Sequence, residues 1–291
     1  MNIIFSRKGL DSSFGNTSSA VLPDGTLAWL PIPEKDSKKN LPSYNNLFIQ
    51  NYCLGDIVES ISKGKLSAKS TVHLDPDIFP FHLKRDEGWF PIFGQTGAAE
   101  SHLRNHNVSA GDIFLFFSWF RETEYINGKL QYIPNYFDQH ILYGWFQIEE
   151  KKEVKSFIPL EEWMKEHSHL QGVLYNRELD TVYFPTKYLI LDGEKTNLSG
   201  CGYFPKKHDE IVLTARGENR SIWELPSWFF PGNEKTPLTY HGNLSRWNLY
   251  GDKVFLKTVG RGQEFILNSE EYPQSICWLK NLISSYGKNS L

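Results

Sequence analysis

The run Ile113-Phe-Leu-Phe-Phe-Ser-Trp-Phe120 has no polar residue before Ser118, and it limits the possible fold more than any other stretch. A strand with one face in water alternates apolar and polar side chains. A run without alternation, led in by the polar turn Ser109-Ala110-Gly111-Asp112, predicts a strand buried on both faces. Any fold for this chain must therefore supply two apolar layers around one strand.

The rest of the chain supplies short elements. Ile3 to Phe5 reads as a strand running into a Ser- and Gly-rich turn, Ser6 to Ser19. Glu34 to Asn46 is a polar surface loop. Asp56 followed by Glu59 is a capping-box-like start for a helix ending near Gly64. Ser70 to Leu74 predicts a strand stopped by the turn Asp75-Pro76-Asp77. Gly97 to Asn105 predicts a short helix, Tyr125 to Ile133 a hairpin turning at Asn127-Gly128, and His140 to Ile148 another apolar strand. Pro159 to His167 has amphipathic helical spacing with Leu160, Trp163 and Met164 inward. Short strands follow at Val182–Phe184, Tyr188–Leu191, Ile211–Thr214 and Val254–Val259, and a closing helix at Pro273–Tyr286. With no internal repeat and no linker, residues 1–291 are expected to form one α+β domain. Its core would be a β-rich mixed sheet or a partly closed barrel with flanking short helices.

Composition narrows the function. The 9 Trp, 14 Tyr and 20 Phe make up 15% of the chain; such side chains fill cores and also form platforms for flat ligands. The net charge is −3, from 31 Lys plus Arg against 34 Asp plus Glu. Proteins that coat long nucleic acid neutralise phosphates with a basic excess, so no extended nucleic-acid footprint is expected. Cys53, Cys201 and Cys277 are far apart and form neither a disulfide framework nor a zinc pattern. The N-terminus is too polar for a signal peptide and no apolar run reaches membrane-spanning length, so a cytoplasmic location is expected. A Gly-x-Ser-x-Gly elbow, His-Glu-x-x-His, Cys-x-x-Cys and the dinucleotide glycine fingerprint are all absent.

Four polar segments carry the chemistry. Ser6-Arg7-Lys8-Gly9-Leu10-Asp11-Ser12-Ser13-Phe14-Gly15 combines two cations, hydroxyls and glycines after a strand, which suits a phosphate; a solvated turn explains the same residues. In His73-Leu74-Asp75-Pro76-Asp77, the side chains of His73, Asp75 and Asp77 would share one face if extended, as a metal site needs, although Asp-Pro also starts turns. Glu100 and His102 are the nearest further ligands. Gly94-Gln95-Thr96-Gly97 opens a helix on small residues, with Gln95 able to read a base edge, while Glu100 and Arg104 are spaced for a local ion pair. Tyr240-His241-Gly242 and Arg261-Gly262-Gln263-Glu264-Phe265 offer donors and acceptors for a planar polar ligand, or structural ion pairs.

Together with Leu22-Pro-Asp-Gly25, Leu30-Pro-Ile-Pro33 and Gly111-Asp-Ile-Phe-Leu-Phe-Phe117, these segments resemble the nucleotide-modification-associated domain family, third type, of bacteria and their phages. The resemblance runs over nearly the whole chain, although Phe14-Gly15-Asn16 stands where the family pattern is richer in glycine. It implies a setting of nucleic-acid base modification or phage–host conflict, and transfers no catalytic residue. A looser likeness is to base-recognising PUA/EVE-type barrels, over about residues 94–215. There a Gly-Asp turn feeds a buried strand, as at Gly111-Asp112, and a glycine-bearing strand returns, as at Tyr143-Gly144-Trp145.

The chain is accordingly expected to bind a nucleotide or exposed nucleobase, as a base-modification enzyme or a binding protein. Arg7, Lys8, Ser12 and Ser13 would hold phosphate. Gln95 and Gln263 would read the base, with Gly97, His241 and Arg261 as further contacts. Asp11, His73 and Asp75 are the acid/base candidates. No metal ligand is assigned in that expectation, and no cofactor is identified. Two alternatives stand beside it: a metal-dependent nuclease or phosphodiesterase using His73, Asp75 and Asp77, and a non-catalytic protein that sequesters a nucleotide signal.

Overall fold

The apolar run lies inside a 14-residue strand, Ile113–Ile126, whose residues 113–120 are all buried. The computed structural model describes residues 1–12, 16–34, 41–156, 161–171 and 180–291. Seven strands of the main sheet position the functional residues: β1 (Asn2–Arg7), β2 (Phe93–Gln95), β3 (Ile113–Ile126), β4 (Gln139–Glu153), β5 (Thr181–Pro185), β6 (Cys201–Tyr203) and β7 (Glu264–Asn268). The main path runs β7-β1-β3-β4-β5-β2, with β6 joining β4 at Gly144–Phe146. β1 is parallel to β3, and the other neighbours on the path are antiparallel. The sheet curls into a mixed half-barrel, and the fold is β-rich α+β.

Both faces of β3 are covered, each by a different layer. On one face Phe117 meets Trp223 at a ring-centroid distance of 5.1 Å, and Phe5 of β1 meets Trp223 and Phe229 at 5.8 and 6.1 Å. Trp223 belongs to a separate three-stranded sheet built from Ile222–Pro226, Trp247–Tyr250 and Lys253–Lys257. On the other face Phe114 and Phe116 pack edge-on against Phe93 of β2, at 4.8 and 5.1 Å. Tyr143 stacks there on Trp29 at 5.2 Å. The alternation along β3 follows from the two-residue period of a strand.

Three α-helices occur among the described residues: α1 (Leu54–Ser62), α2 (Gly97–Asn105) and α3 (Gln274–Tyr286). All three match the sequence expectation within a few residues. Lys63 and Gly64 leave α1 in the left-handed region (φ 54° and 75°), as a helix stop requires. The β3 hairpin turns at Asn127 and Gly128, both at positive φ, the geometry that makes Asn-Gly a turn signal.

Several expectations need correction. The strand expected over Ser70–Leu74 shrinks to Val72–His73, paired with Ile32–Pro33; Pro33 has no N–H to extend the ladder. Ile211–Thr214 is not a strand: Asp209–Ile211 is a 3-10 turn, and Val212 and Thr214 make isolated bridges. Of the expected helix Pro159–His167, residues 157–160 lie outside the described residues, and Glu162–Glu166 is a 3-10 turn. No helix of the described residues is long and apolar enough to cross a membrane.

His140 at the start of β4 tests how tightly this core is held. It is buried, and its Nδ1 accepts from Trp223 Nε1 at 3.0 Å. Burial, then the charges of Arg7 and Arg220, pull its pKa down to about 3. A histidine with a depressed folded-state pKa contributes stability that is fully present above the ordinary value near 6.5 and is lost as pH falls towards about 3. From His140 alone, unfolding free energy should drop by about 2 kcal/mol between pH 7 and pH 5, at about 1.4 kcal/mol per pH unit. Urea melts across that window should show it, and His140→Gln, which keeps an acceptor for Trp223, should flatten the slope by about one proton.

Candidate functional site: a buried histidine and carboxylate cluster

The chain leaving β1 sorts its two cations onto opposite faces of the sheet, because successive strand residues alternate. Ser6 is in register with Phe116 of β3 and Glu264 of β7. Lys8 continues on that side: its Nζ lies 3.3 Å from Glu264 Oε1 and 4.7 Å from the centre of the Phe93 ring. Arg7 points the other way, and its Nη2 donates to the carbonyls of Gly260 (3.2 Å) and Gly262 (2.8 Å). Arg7 and Lys8 therefore do not form one phosphate clamp. Each instead joins the opening motif to the Arg261–Phe265 segment.

Glu264 is fully buried, and its Oε1 also accepts from Gln95 Nε2. Gln95 is held in turn, since its Oε1 accepts from the Thr96 backbone N–H at 3.1 Å. Burial pushes the Glu264 carboxyl above its ordinary value despite the lowering effect of Lys8, Ser6 and Gln95. Its Oε2, the buried hydroxyl of Ser6 beside it in register and the buried hydroxyl of Tyr143 are all without a partner in hydrogen-bond geometry. Burial, then the charges of Asp75 and Glu264, push the Tyr143 phenol well above its usual range.

The second half of the site gathers histidines. His73 Nε2 lies 3.3 Å from His169 Nε2, and the outer nitrogens of the two rings face carboxylates. His73 Nδ1 is 3.4 Å from Glu34 Oε2, and His169 Nδ1 is 3.3 Å from Asp180 Oδ1. Asp75 completes the group, with Oδ2 at 3.7 Å from His169 Nε2. Its Oδ1 accepts from Gly94 N at 2.6 Å and lies 3.4 Å from His167 Nε2, which is not aligned for a hydrogen bond. Donor atoms of His73, Asp75 and His169 all fall within 4.8 Å of one another. Gly94 permits this packing: a Cβ there would stand 2.2 Å from His169 Cδ2.

The electrostatics suit one shared proton. Burial lowers the His73 pKa more than Glu34 restores it. Burial would do the same to His169, but the neighbouring carboxylates of Asp180 and Asp75 outweigh it and raise the value to about 9. Burial also opposes the Asp75 carboxylate, yet His167, His169 and the charge of Lys8 hold it well below the usual range. With His169 doubly protonated and His73 neutral, His169 Nε2–H donates to His73 Nε2, and each Nδ1–H faces its own carboxylate. Such a site can bind an anion or planar ligand beside Lys8, move a proton, or exchange the shared proton for a cation.

Asp77, expected beside His73 and Asp75, turns away into a two-point pair with Arg85 and accepts from Trp89 Nε1 at 3.1 Å. Glu100 is buried and accepts from Arg104, Thr181 and Tyr183, while His102 stacks on Tyr240 at 4.6 Å. His241 is buried with both nitrogens in use, Nδ1 against the Thr239 carbonyl and Nε2 accepting from Val259 N. Asp11 lies close enough to Arg7 to raise its pKa against the larger lowering effect of burial. Asp11, Ser12, Arg261 and Gln263 are exposed, and Gly97 opens α2 at φ 59°. Ser13 lies outside the described residues. Sequence reasoning missed Glu34, His167, His169 and Asp180. The signal that could have found the histidines is the pairing of His73-x-Asp75 with His167-x-His169, two one-residue spacings of ligand-type side chains.

A family model described as nucleotide modification associated domain 3 matches residues 2–268, and the chain belongs to that family. No curated protein and no solved structure among those compared matches it.

Gly94 offers a direct test of how the cluster is built. Gly94→Ala should displace the His169 ring, costing about 1–3 kcal/mol as an overpacked core position. The histidine Cε1 and Cδ2 resonances in NMR spectra would report the displacement. An alanine variant with wild-type stability and unchanged imidazole shifts would refute this account of the packing.

Proposed function

We propose that this member of the nucleotide modification associated domain 3 family binds a single nucleotide or an exposed base in the polar interior of the curled sheet and acts chemically on it. The observation that carries the proposal is the unsatisfied pair of groups there, Glu264 Oε2 and the Tyr143 hydroxyl, in an interior otherwise closed by aromatic rings. Buried polar atoms nearly always have partners, so a donor and an acceptor left over beside a lysine point to a ligand. Lys8 would supply positive charge to a phosphate or to a developing anion. Glu264, whose carboxyl burial holds towards the protonated form, is suited to donate a proton. His73 is the most exposed of the cluster, at 21% of its side chain, and would stand at the mouth. Asp75 and His73 remain the acid/base candidates, with Gln95 orienting Glu264. Arg7, Asp11, Ser12 and Gln263 would act at the outer rim.

The formal charge of −3 favours a small ligand or one extruded base over a long duplex. A place in phage–host conflict, and action inside the cell, belong to the same proposal and rest on the family's description and the sequence resemblance.

The test is a thermal-shift screen of nucleosides, nucleotides and short single-stranded DNA, followed by mass spectrometry of the recovered ligand. A ligand at a hundred times its dissociation constant should add about 2.7 kcal/mol. Lys8→Met should weaken binding tenfold or more, the equivalent of a charge-assisted hydrogen bond of about 1.5–3 kcal/mol. Glu264→Gln should spare binding and slow conversion. Ligand recovered unchanged would leave a sequestering protein, and the absence of any nucleotide or base binding would sink the proposal.

A further inference from the structure

The contacts between His73, His169 and Asp75 have a second explanation besides a shared proton. In each imidazole the outer Nδ1 faces a carboxylate, Glu34 for His73 and Asp180 for His169. The inner Nε2 atoms are thereby aimed at each other and towards Asp75. Metal-binding histidines are oriented this way, with the free ring N–H donated to a carboxylate that fixes the tautomer and raises the basicity of the ligating nitrogen. The spacing also fits. With metal–nitrogen bonds of about 2.0–2.1 Å, two donors on a tetrahedral ion stand about 3.3 Å apart. The Nε2 atoms are separated by 3.3 Å, and Asp75 Oδ2 is 3.7 Å from His169 Nε2.

His167 is an independent pointer to a ligand. Its side chain is 2% exposed, neither ring nitrogen has a hydrogen-bond partner, and Nε2 stands 3.4 Å from Asp75 Oδ1. A buried imidazole without a hydrogen bond loses those it would make to water, and a water or ligand group held beside Asp75 would compensate for that loss.

We propose that His73, Asp75 and His169 bind one divalent first-row transition-metal ion, with Glu34 and Asp180 as the carboxylates that orient the imidazoles. Two imidazoles and a carboxylate form the donor set of hydrolytic zinc sites and of non-haem iron(II) centres. Magnesium and calcium, which take oxygen ligands, are not expected to compete. The ion would replace the proton shared between His73 and His169 and, with it, the acid/base roles of His73 and Asp75, leaving Glu264 as the proton donor of the nucleotide proposal. The sequence alternative of His73, Asp75 and Asp77 differs in one essential respect: Asp77 is committed to Arg85 and Trp89, and the third ligand comes from a segment 96 residues away from His73.

The experiment uses the full chain and no nucleotide, so its failure leaves the nucleotide proposal standing, and the reverse also holds. Chelator-treated protein is dialysed against Zn²⁺, or against Fe²⁺ without oxygen, and bound metal is measured by plasma mass spectrometry beside the melting temperature. About one ion per chain and a raised melting temperature are expected with at least one of these ions. Asp180→Asn should weaken the affinity about 10–100-fold, His169→Ala should abolish retention, and His106→Ala on the exposed end of α2 should leave it unchanged. Wild-type protein that retains neither ion and shows no thermal shift overturns the proposal. So does a folded His169→Ala variant that keeps the wild-type ion. If the alanine variant does not fold, the wild-type titration and Asp180→Asn decide the matter: unchanged affinity in Asp180→Asn would remove the orienting role and with it the assigned geometry.

Discussion

The strand from Ile113 to Phe120 has no face for water, and the rest of the molecule is arranged by that requirement. Phe117 and its neighbours need one apolar layer and Phe114 and Phe116 another, so the chain builds the Trp223 sheet on one side and folds β2, Trp29 and Tyr143 onto the other. A strand covered on both faces also fixes its neighbours. β1 lies parallel beside it and β4 antiparallel, so the end of β1 is delivered into the curl of the sheet. Lys8 reaches the interior because it follows the same alternation that buries Ser6 beside Phe116.

The interior it enters is expensive. A lysine, three carboxyls and three imidazoles are removed from water there, and the aromatic rings around them add the cation–π contact of Lys8 with Phe93. Burying an ion pair seldom adds net stability against an apolar replacement, so stability is a poor explanation for this cluster. Perturbed and coupled titrations concentrated at one place are more often the mark of a working site. The contrast with Asp77 and Glu100 is instructive. Both are buried acids, yet each is saturated by partners of fixed geometry, Arg85 and Trp89 for one, Arg104, Thr181 and Tyr183 for the other. Glu264 and His167 retain buried polar atoms that no hydrogen bond satisfies.

Local chemistry made some of this legible in advance. The helix of Gly97–Asn105, the Asn127-Gly128 turn and the closing helix depend on contacts a few residues apart, and their signals survive in the linear chain. The weak strands did not, because Val72–His73 and the Val212 and Thr214 bridges depend on which distant segment comes alongside. The Lys8–Glu264–Gln95 group was half legible: all three residues lay in segments singled out for polarity, but their meeting spans 169 positions between Gln95 and Glu264.

What the sequence alone determined, then, is the β-rich body with a doubly buried strand, the short helices and the family. These follow from periodicity, turn chemistry and composition, which act locally or as sums over the chain. Only the tertiary structure decided which polar residues belong together. It separated Arg7 from Lys8 by the alternation of a strand, sent Asp77 to Arg85, and brought His169 and Asp180 to face His73 and Asp75. No sequence spacing encodes those choices, because they depend on the curl of the sheet and on the absence of a side chain at Gly94, which lets the His169 ring come within contact of the strand.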